Sequence, residues 1–214
     1  MQEFWRKPEV LAPTKPLPFP VKKPDPMYPP VGEKYSDNSG KFLINGVGLV
    51  LCKKFEGFEP VARDDGFGTP TVGYGRIVYP NGVKVRNGDK CTEPEASSWL
   101  LHDLYAEGSK YVRAYLNDAI EAALNENEFS ALVDFTFNRG AGRFRDYVAP
   151  FLNKGDKEGA MKSLLTVVSA GSQKYVLGLD RRRWAEKYLF EGKDPSPFYN
   201  LKYFIAFKER GYRD

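Results

Sequence analysis

Nine of the chain's 16 prolines fall between Pro8 and Pro30, and this density decides what the N-terminal part cannot be. Each proline removes an amide donor and fixes φ, so neither an interior helix nor a central strand can carry the run. The spacing through Pro13, Pro16, Pro18, Pro20, Pro24, Pro26, Pro29 and Pro30 favours polyproline II. At roughly 3.1 Å per residue, thirty such residues reach about 90 Å. Residues 1–40 are therefore read as an extended arm. A solvated linker is one version of that reading. Phe4, Trp5, Leu11, Leu17, Phe19, Met27 and Tyr28 favour another, an arm seated on a partner, because a purely solvating tail seldom carries large apolar side chains. The remaining length of the 214-residue chain suits one domain of ordinary size.

The net charge of +4 divides into +1 for residues 1–40, +1 for residues 41–192 and +2 for residues 193–214. Nucleic acid is thus not an expected partner, since phosphate neutralisation needs a concentrated basic face. With 42% apolar and 28% charged residues, the chain is neither collagenous nor a disulfide framework nor an integral membrane protein. Cys52 and Cys91 are the only cysteines and His102 the only histidine. That inventory excludes a Cys/His zinc site and a histidine-dependent serine triad, and no metal or cofactor is expected. The thiols read as reduced structural residues. No apolar stretch suits a signal peptide, and none reaches the roughly 18 residues of a spanning helix. The expectation is a protein made in a cytoplasm, without membrane insertion and without a means of exporting itself.

From residue 41 the texture alternates between helical and turn-rich segments. Asn45 is an N-cap, followed at helical spacing by Val47, Val50, Leu51 and Phe55 until Gly57 stops the run. Tyr79-Pro-Asn-Gly82, between Ile77 and Val83–Val85, predicts a hairpin. Thr92-Glu-Pro-Glu95 is a capping box opening a long helix through Leu100, Leu104 and Val112. Asn125 to Glu128 repeats that logic before Phe129, Leu132, Val133 and Phe137, with Gly140 as the stop. Further helices are expected over 146–153, 156–169 and 179–190. The pattern predicts an α+β fold, mainly α: two lobes, one with a small sheet and one helical, joined by a long helix with a cleft between them. The segment 193–214 holds Phe198, Tyr199, Tyr203, Phe204, Ile205 and Phe207, an apolar set that must pack on something.

The chemistry concentrates between Lys54 and Arg76. Glu56 is the last helical residue before Gly57, where the negative end of the helix dipole opposes a carboxylate, the direction a general acid requires. Asp65 lies nine residues on in an Asp-Asp-Gly turn, a polar place where it should stay ionised. Two carboxylates in contrasting surroundings suit acid/base glycoside cleavage. Thr71 and Gly73-Tyr-Gly75 follow, glycines in a strand permitting close approach of a ligand. Taken alone, an acidic pair near a turn is more often a solvated surface.

At these residues the chain closely resembles the bacteriophage lysozymes of glycoside hydrolase family 24. It matches that family's motif with Glu56-Gly57, Asp65 and Thr71-Val-Gly-Tyr-Gly75, and continues through Leu124 to Gly140, Leu152 to Gly155 and Gly178 to Glu186. The resemblance implies a lysozyme-like fold over residues 41–192 and hydrolysis of the β-1,4 bond between N-acetylmuramic acid and N-acetylglucosamine in bacterial peptidoglycan. By the same resemblance Glu56 protonates the leaving oxygen, while Asp65 and Thr71 position and activate water in an inverting geometry. Tyr74, Phe137 and Asn138 match cleft-lining positions and are expected substrate contacts. One of Arg181, Arg182 and Arg183 is a candidate partner of Glu56, a solvated helix face being the equal alternative.

The chain departs from the pattern in three ways. Arg76 replaces a usual histidine, Arg63 replaces a common tyrosine, and the segments 1–40 and 193–214 are additions. His102 has no motif partner and reads as a bystander, and Cys52 as a small buried filler one turn before Glu56. The arm leads to the expectation of a virion-associated enzyme, held on a phage structural protein of the tail or baseplate by residues 1–40. A free endolysin acting at host lysis is the first alternative. A catalytically retired structural protein is the second, and the intact Glu56, Asp65 and Thr71 speak against it.

Overall fold

The computed structural model describes residues 33–36, 40–64 and 68–211. Residues 1–32, which carry the proline run, lie outside it, as does Asp65. The first described element was read from sequence as part of the arm: β1 (Lys34–Ser36) pairs antiparallel with β2 (Phe42–Asn45), Tyr35 opposite Ile44.

Helix α1 (Gly46–Glu56) starts where its cap predicts. The Asn45 side chain accepts from the Gly48 amide at 2.8 Å and donates to Asn127 at 2.7 Å, tying the start of this helix to the start of a later one. Gly57, at φ +76°, ends the helix and returns its amide to Lys53 at 3.0 Å. Leu49, Leu51 and Cys52 face the core.

The small lobe follows. Strands β3 (Glu59–Asp64) and β4 (Pro70–Gly73) pair antiparallel, Arg63 opposite Thr71 and Asp64 opposite Pro70. The Gly68 amide donates to the Asp64 carboxylate at 2.8 Å. Gly73 has φ +66°, and a Cβ there would lie 2.9 Å from that of Ala96, so only glycine lets the strand end meet the next helix. The expected hairpin is present as a minimal one: Gly82 closes the turn on Tyr79, and Val78 bridges Lys84.

The long helix is capped as expected, Thr92 and Glu95 forming a reciprocal box with Pro94 in the first turn of α2 (Glu93–Asp103). It then widens into a π-helical stretch, Leu104–Ser109, before α3 (Lys110–Tyr115). Within that stretch Gly108 approaches the backbone of Val133 so closely that a Cβ would lie 3.0 Å from the Val133 carbonyl oxygen. The short α4 (Asp118–Ala123) leads to α5 (Glu126–Arg139), the axis of the helical lobe, buried at every position from Glu128 to Thr136.

The helix expected over 146–153 begins earlier. It runs from α6 (Ala141–Arg143) through a π stretch, Phe144–Val148, into α7 (Ala149–Leu152), where Pro150 has no amide to give to the preceding turn. α8 (Lys157–Leu165) and α9 (Leu177–Phe190) complete the lobe. The C-terminal segment folds back as a 3₁₀ turn, Ser196–Tyr199, and α10 (Leu201–Glu209). Its aromatic residues pack on α9: Phe198 lies 4.6 Å from the Tyr188 ring, and Phe207 4.8 Å from the Trp184 ring. Phe198, Tyr203, Phe204 and Phe207 are buried, whereas Ile205 faces outward.

Candidate active site

Two polar knots join the lobes beside α1. Lys53, only 3% exposed, donates to Glu93 at 2.7 Å, and the hydroxyls of Tyr74 and Ser97 donate to the same Glu93 oxygen at 2.9 and 2.6 Å. Burial alone would raise the Glu93 carboxyl, but these three donors more than offset it and hold it below the usual carboxylate range. One carboxylate thereby ties α1, the residue that follows β4, and α2 together. The second knot is the departure at residue 76: Arg76 reaches Asp103 on α2 with two bonds of 2.9 and 2.8 Å and lies against the Trp99 ring. Two parallel bonds from one planar guanidinium fix the orientation of this strut, which a histidine could not reproduce.

Glu56 stands on the last turn of α1, its side chain 24% exposed. Its shielding from water is thus partial. Arg182 from α9 donates to it from Nη1 at 2.5 Å, and also donates from Nε and Nη2 to Asp134 of α5 at 2.9 and 2.8 Å. Of the three candidate arginines, Arg182 is the partner of Glu56. Arg181 instead covers the Phe55 ring at 5.0 Å, and Arg183 turns inward to Glu186, at 2.6 Å from Nε, and to Asn138 at 2.9 Å. Cys52 is buried beside this group, 3.7 Å from Arg182 Nη2, where burial raises its thiol well above the ordinary value.

The expected residues fall out as follows. Thr71 is half-buried on β4, opposite Arg63 of β3. Asp65 lies outside the described residues, immediately after Asp64 at the end of β3. Tyr74 is buried, 7% exposed, with its hydroxyl on Glu93. Phe137 and Asn138 are half-buried on the last turn of α5, and the Asn138 carbonyl oxygen accepts from Arg183. His102 is exposed, against Asp103.

Asp134 and Glu186 were not singled out from sequence. For Asp134 a signal was present in the run Ala131-Leu-Val-Asp-Phe-Thr-Phe137, where a charge interrupts an apolar face and needs a buried counter-charge. Glu186 is fully enclosed, and burial pushes its carboxyl up to about 8, the Asp134 carboxylate adding to this against the pull of Arg183. Asp134 is held low: its own burial is outweighed by Arg182 and by hydrogen bonds from Arg182 and Glu186. A carboxyl raised in the folded state stabilises the fold below its ordinary value, and that contribution is lost as pH rises through the folded value. Thermal unfolding of the wild type should therefore show a Glu186 contribution that declines between 4.5 and about 8. Glu186→Gln, which resembles the protonated group, should flatten that decline; an unchanged slope would show that Glu186 is ionised in the fold.

A two-lobed α+β fold, mainly helical with a small sheet, and a partly exposed glutamate at the end of its first helix are the features of a lysozyme-like glycoside hydrolase. Residues 53–186 match the phage lysozyme family, and the chain belongs to it. Over 152 residues it is 33% identical to the endolysin of Acyrthosiphon pisum secondary endosymbiont phage 1, a match covering 69% of this chain and 97% of that one. Its fold is similar to the endolysin of Escherichia coli O157:H7 phage FAHEc1, with TM-score 0.62, 30% identity, and 69% and 92% of the two chains covered. It is also similar to the muramidase domain of SpmX from Asticcacaulis excentricus, with TM-score 0.58, 30% identity, and 69% and 96% covered.

Proposed function

We propose that this lysozyme cleaves the bond between N-acetylmuramic acid and N-acetylglucosamine in peptidoglycan with inversion, Glu56 acting as the general acid. The observation that carries this reading is the setting of Glu56: exposed enough to meet a substrate, yet fixed by a buried arginine on the opposite helix. Asp65 and Thr71 are proposed to hold the attacking water on the other face of the sugar. That role requires a separation of roughly 6.5–9.5 Å between the two carboxyls, which leaves room for the water. Phe137 and Asn138 are proposed contacts to the glycan, and Tyr74 acts through the strand end that it anchors. Clearing of a suspension of exposed peptidoglycan by the purified protein tests the activity, and a suspension that stays turbid would count against it.

For deployment, the proline-rich, aromatic-bearing arm supports a virion-associated enzyme seated on a tail or baseplate protein through residues 1–40. A free lytic enzyme that leaves the host cytoplasm at the end of infection is the second reading, favoured by the endolysin names of its relatives. Mass spectrometry of purified particles separates them: peptides of this chain in the particle support the first, and their absence supports the second.

A further inference from the structure

The side chain that holds Glu56 is itself held. Arg182 divides its donors between carboxylates on two helices, one nitrogen to Glu56 on α1 and two to Asp134 on α5, with only 4% of its side chain exposed. Asp134 is fully buried in the middle of an apolar helix face. A carboxylate there is poorly explained by stability, because well-packed apolar residues often replace buried ion pairs at no loss. It is well explained by geometry. The fork of a guanidinium bound through two nitrogens to one carboxylate is fixed in its plane, and the remaining nitrogen then points in one direction.

We propose that Asp134 is a positioning residue for the hydrolytic reaction: it clamps Arg182 so that one nitrogen stays on Glu56, and it takes up most of the arginine's charge. The inference rests on Glu56 being the general acid. An arginine facing a lone carboxylate draws it strongly towards the ionised form. With Asp134 bound on its other edge, Arg182 orients Glu56 without withholding the proton that the leaving oxygen needs. Among the described residues, the other titratable and charged groups around the clamp are Cys52 from α1, Arg139 from α5, and Arg183 and Glu186 from α9. Glu186 hydrogen-bonds Asp134, which keeps the clamp's negative charge on Asp134 rather than on its neighbour.

The test is Asp134→Asn, assayed for kcat and KM on soluble peptidoglycan fragments across the pH range, with thermal unfolding followed separately. Asparagine keeps the shape but offers one acceptor instead of two and no charge. The expected result is a kcat lowered roughly tenfold to a hundredfold, an unchanged KM, and an alkaline limb of the kcat profile moved to lower pH. A folded variant with wild-type kcat and an unmoved limb overturns the proposal. So does a loss of activity that follows thermal stability while the limb stays in place. If Asp134→Asn does not fold, Arg182→Lys is measured in the same way, since lysine keeps a charge but cannot bridge both carboxylates. A fallen kcat with unchanged KM supports the clamp, and wild-type kcat refutes it. Failure of the general-acid reading is distinguishable, because Glu56→Gln would then be fully active.

Discussion

Glu56→Gln should fold as the wild type does and clear peptidoglycan on the order of 100-fold to 10,000-fold more slowly, the usual contribution of a positioned general acid. Glutamine has nearly the same shape, and its carbonyl oxygen can still accept from Arg182 Nη1, the bond that holds Glu56 in the wild type. Glu56 is also partly exposed, so its amide need not be buried without a partner. The unfolding midpoint should therefore move little while the rate collapses. That separation matters because replacing a member of a buried ionic network often damages the fold, and lost activity then says nothing about chemistry. Equal clearing by both proteins would remove Glu56 from the reaction.

The second large effect concerns a segment beyond the matched family span, which ends at Glu186. Truncation after Gly192 removes Phe198, Tyr203, Phe204 and Phe207, all buried, and uncovers Trp184 and Tyr188 on α9. At about 1.5–3 kcal/mol for each buried large side chain, the loss is at least about 6 kcal/mol. Against a typical total of about 5–15 kcal/mol this is roughly two fifths or more of the stability of the domain. The midpoint should fall by about 12–24 °C at that lower bound, or the truncated chain should fail to stay soluble. The active site should feel the change as well. Tyr199 packs edge-on to Phe55 at 6.1 Å, and its carbonyl accepts from Arg181 at 3.4 Å, so the extension braces the residue next to Glu56. A truncated protein with an unchanged midpoint would show that the segment is merely appended.

Local chemistry was the legible part of this fold. Asn45, Thr92 and Asn125 mark helix starts because a side-chain oxygen there satisfies amides that nothing else can reach, and all three do so. Gly57 and Gly140 mark ends because both adopt positive φ. β1 was not legible: three residues carry no period, and only the pairing with β2 makes them a strand. The two π stretches were hidden as well, since a widened turn leaves the apolar spacing almost unchanged.

Of the candidate site, Glu56, Asp65 and Thr71 could be picked out because their spacing is a motif. The arginine could not be singled out. Three consecutive residues of a helix point about 100° apart, and α9 buries Arg182, Arg183 and Glu186, so hydrophobicity gives no phase by which to orient it. Buried charges read as surface charges until their partners are known. Asp134 and Arg182 are 48 residues apart, and only the packing of α5 on α9 brings them together.

The most direct measurement is mass analysis of the fragments that the purified wild-type protein releases from peptidoglycan. Hydrolysis by an acid at Glu56 and a water held by Asp65 and Thr71 predicts fragments ending in a hydrated, reducing N-acetylmuramic acid. Fragments ending in the anhydro sugar, which form without water, or in a reducing N-acetylglucosamine, would contradict it.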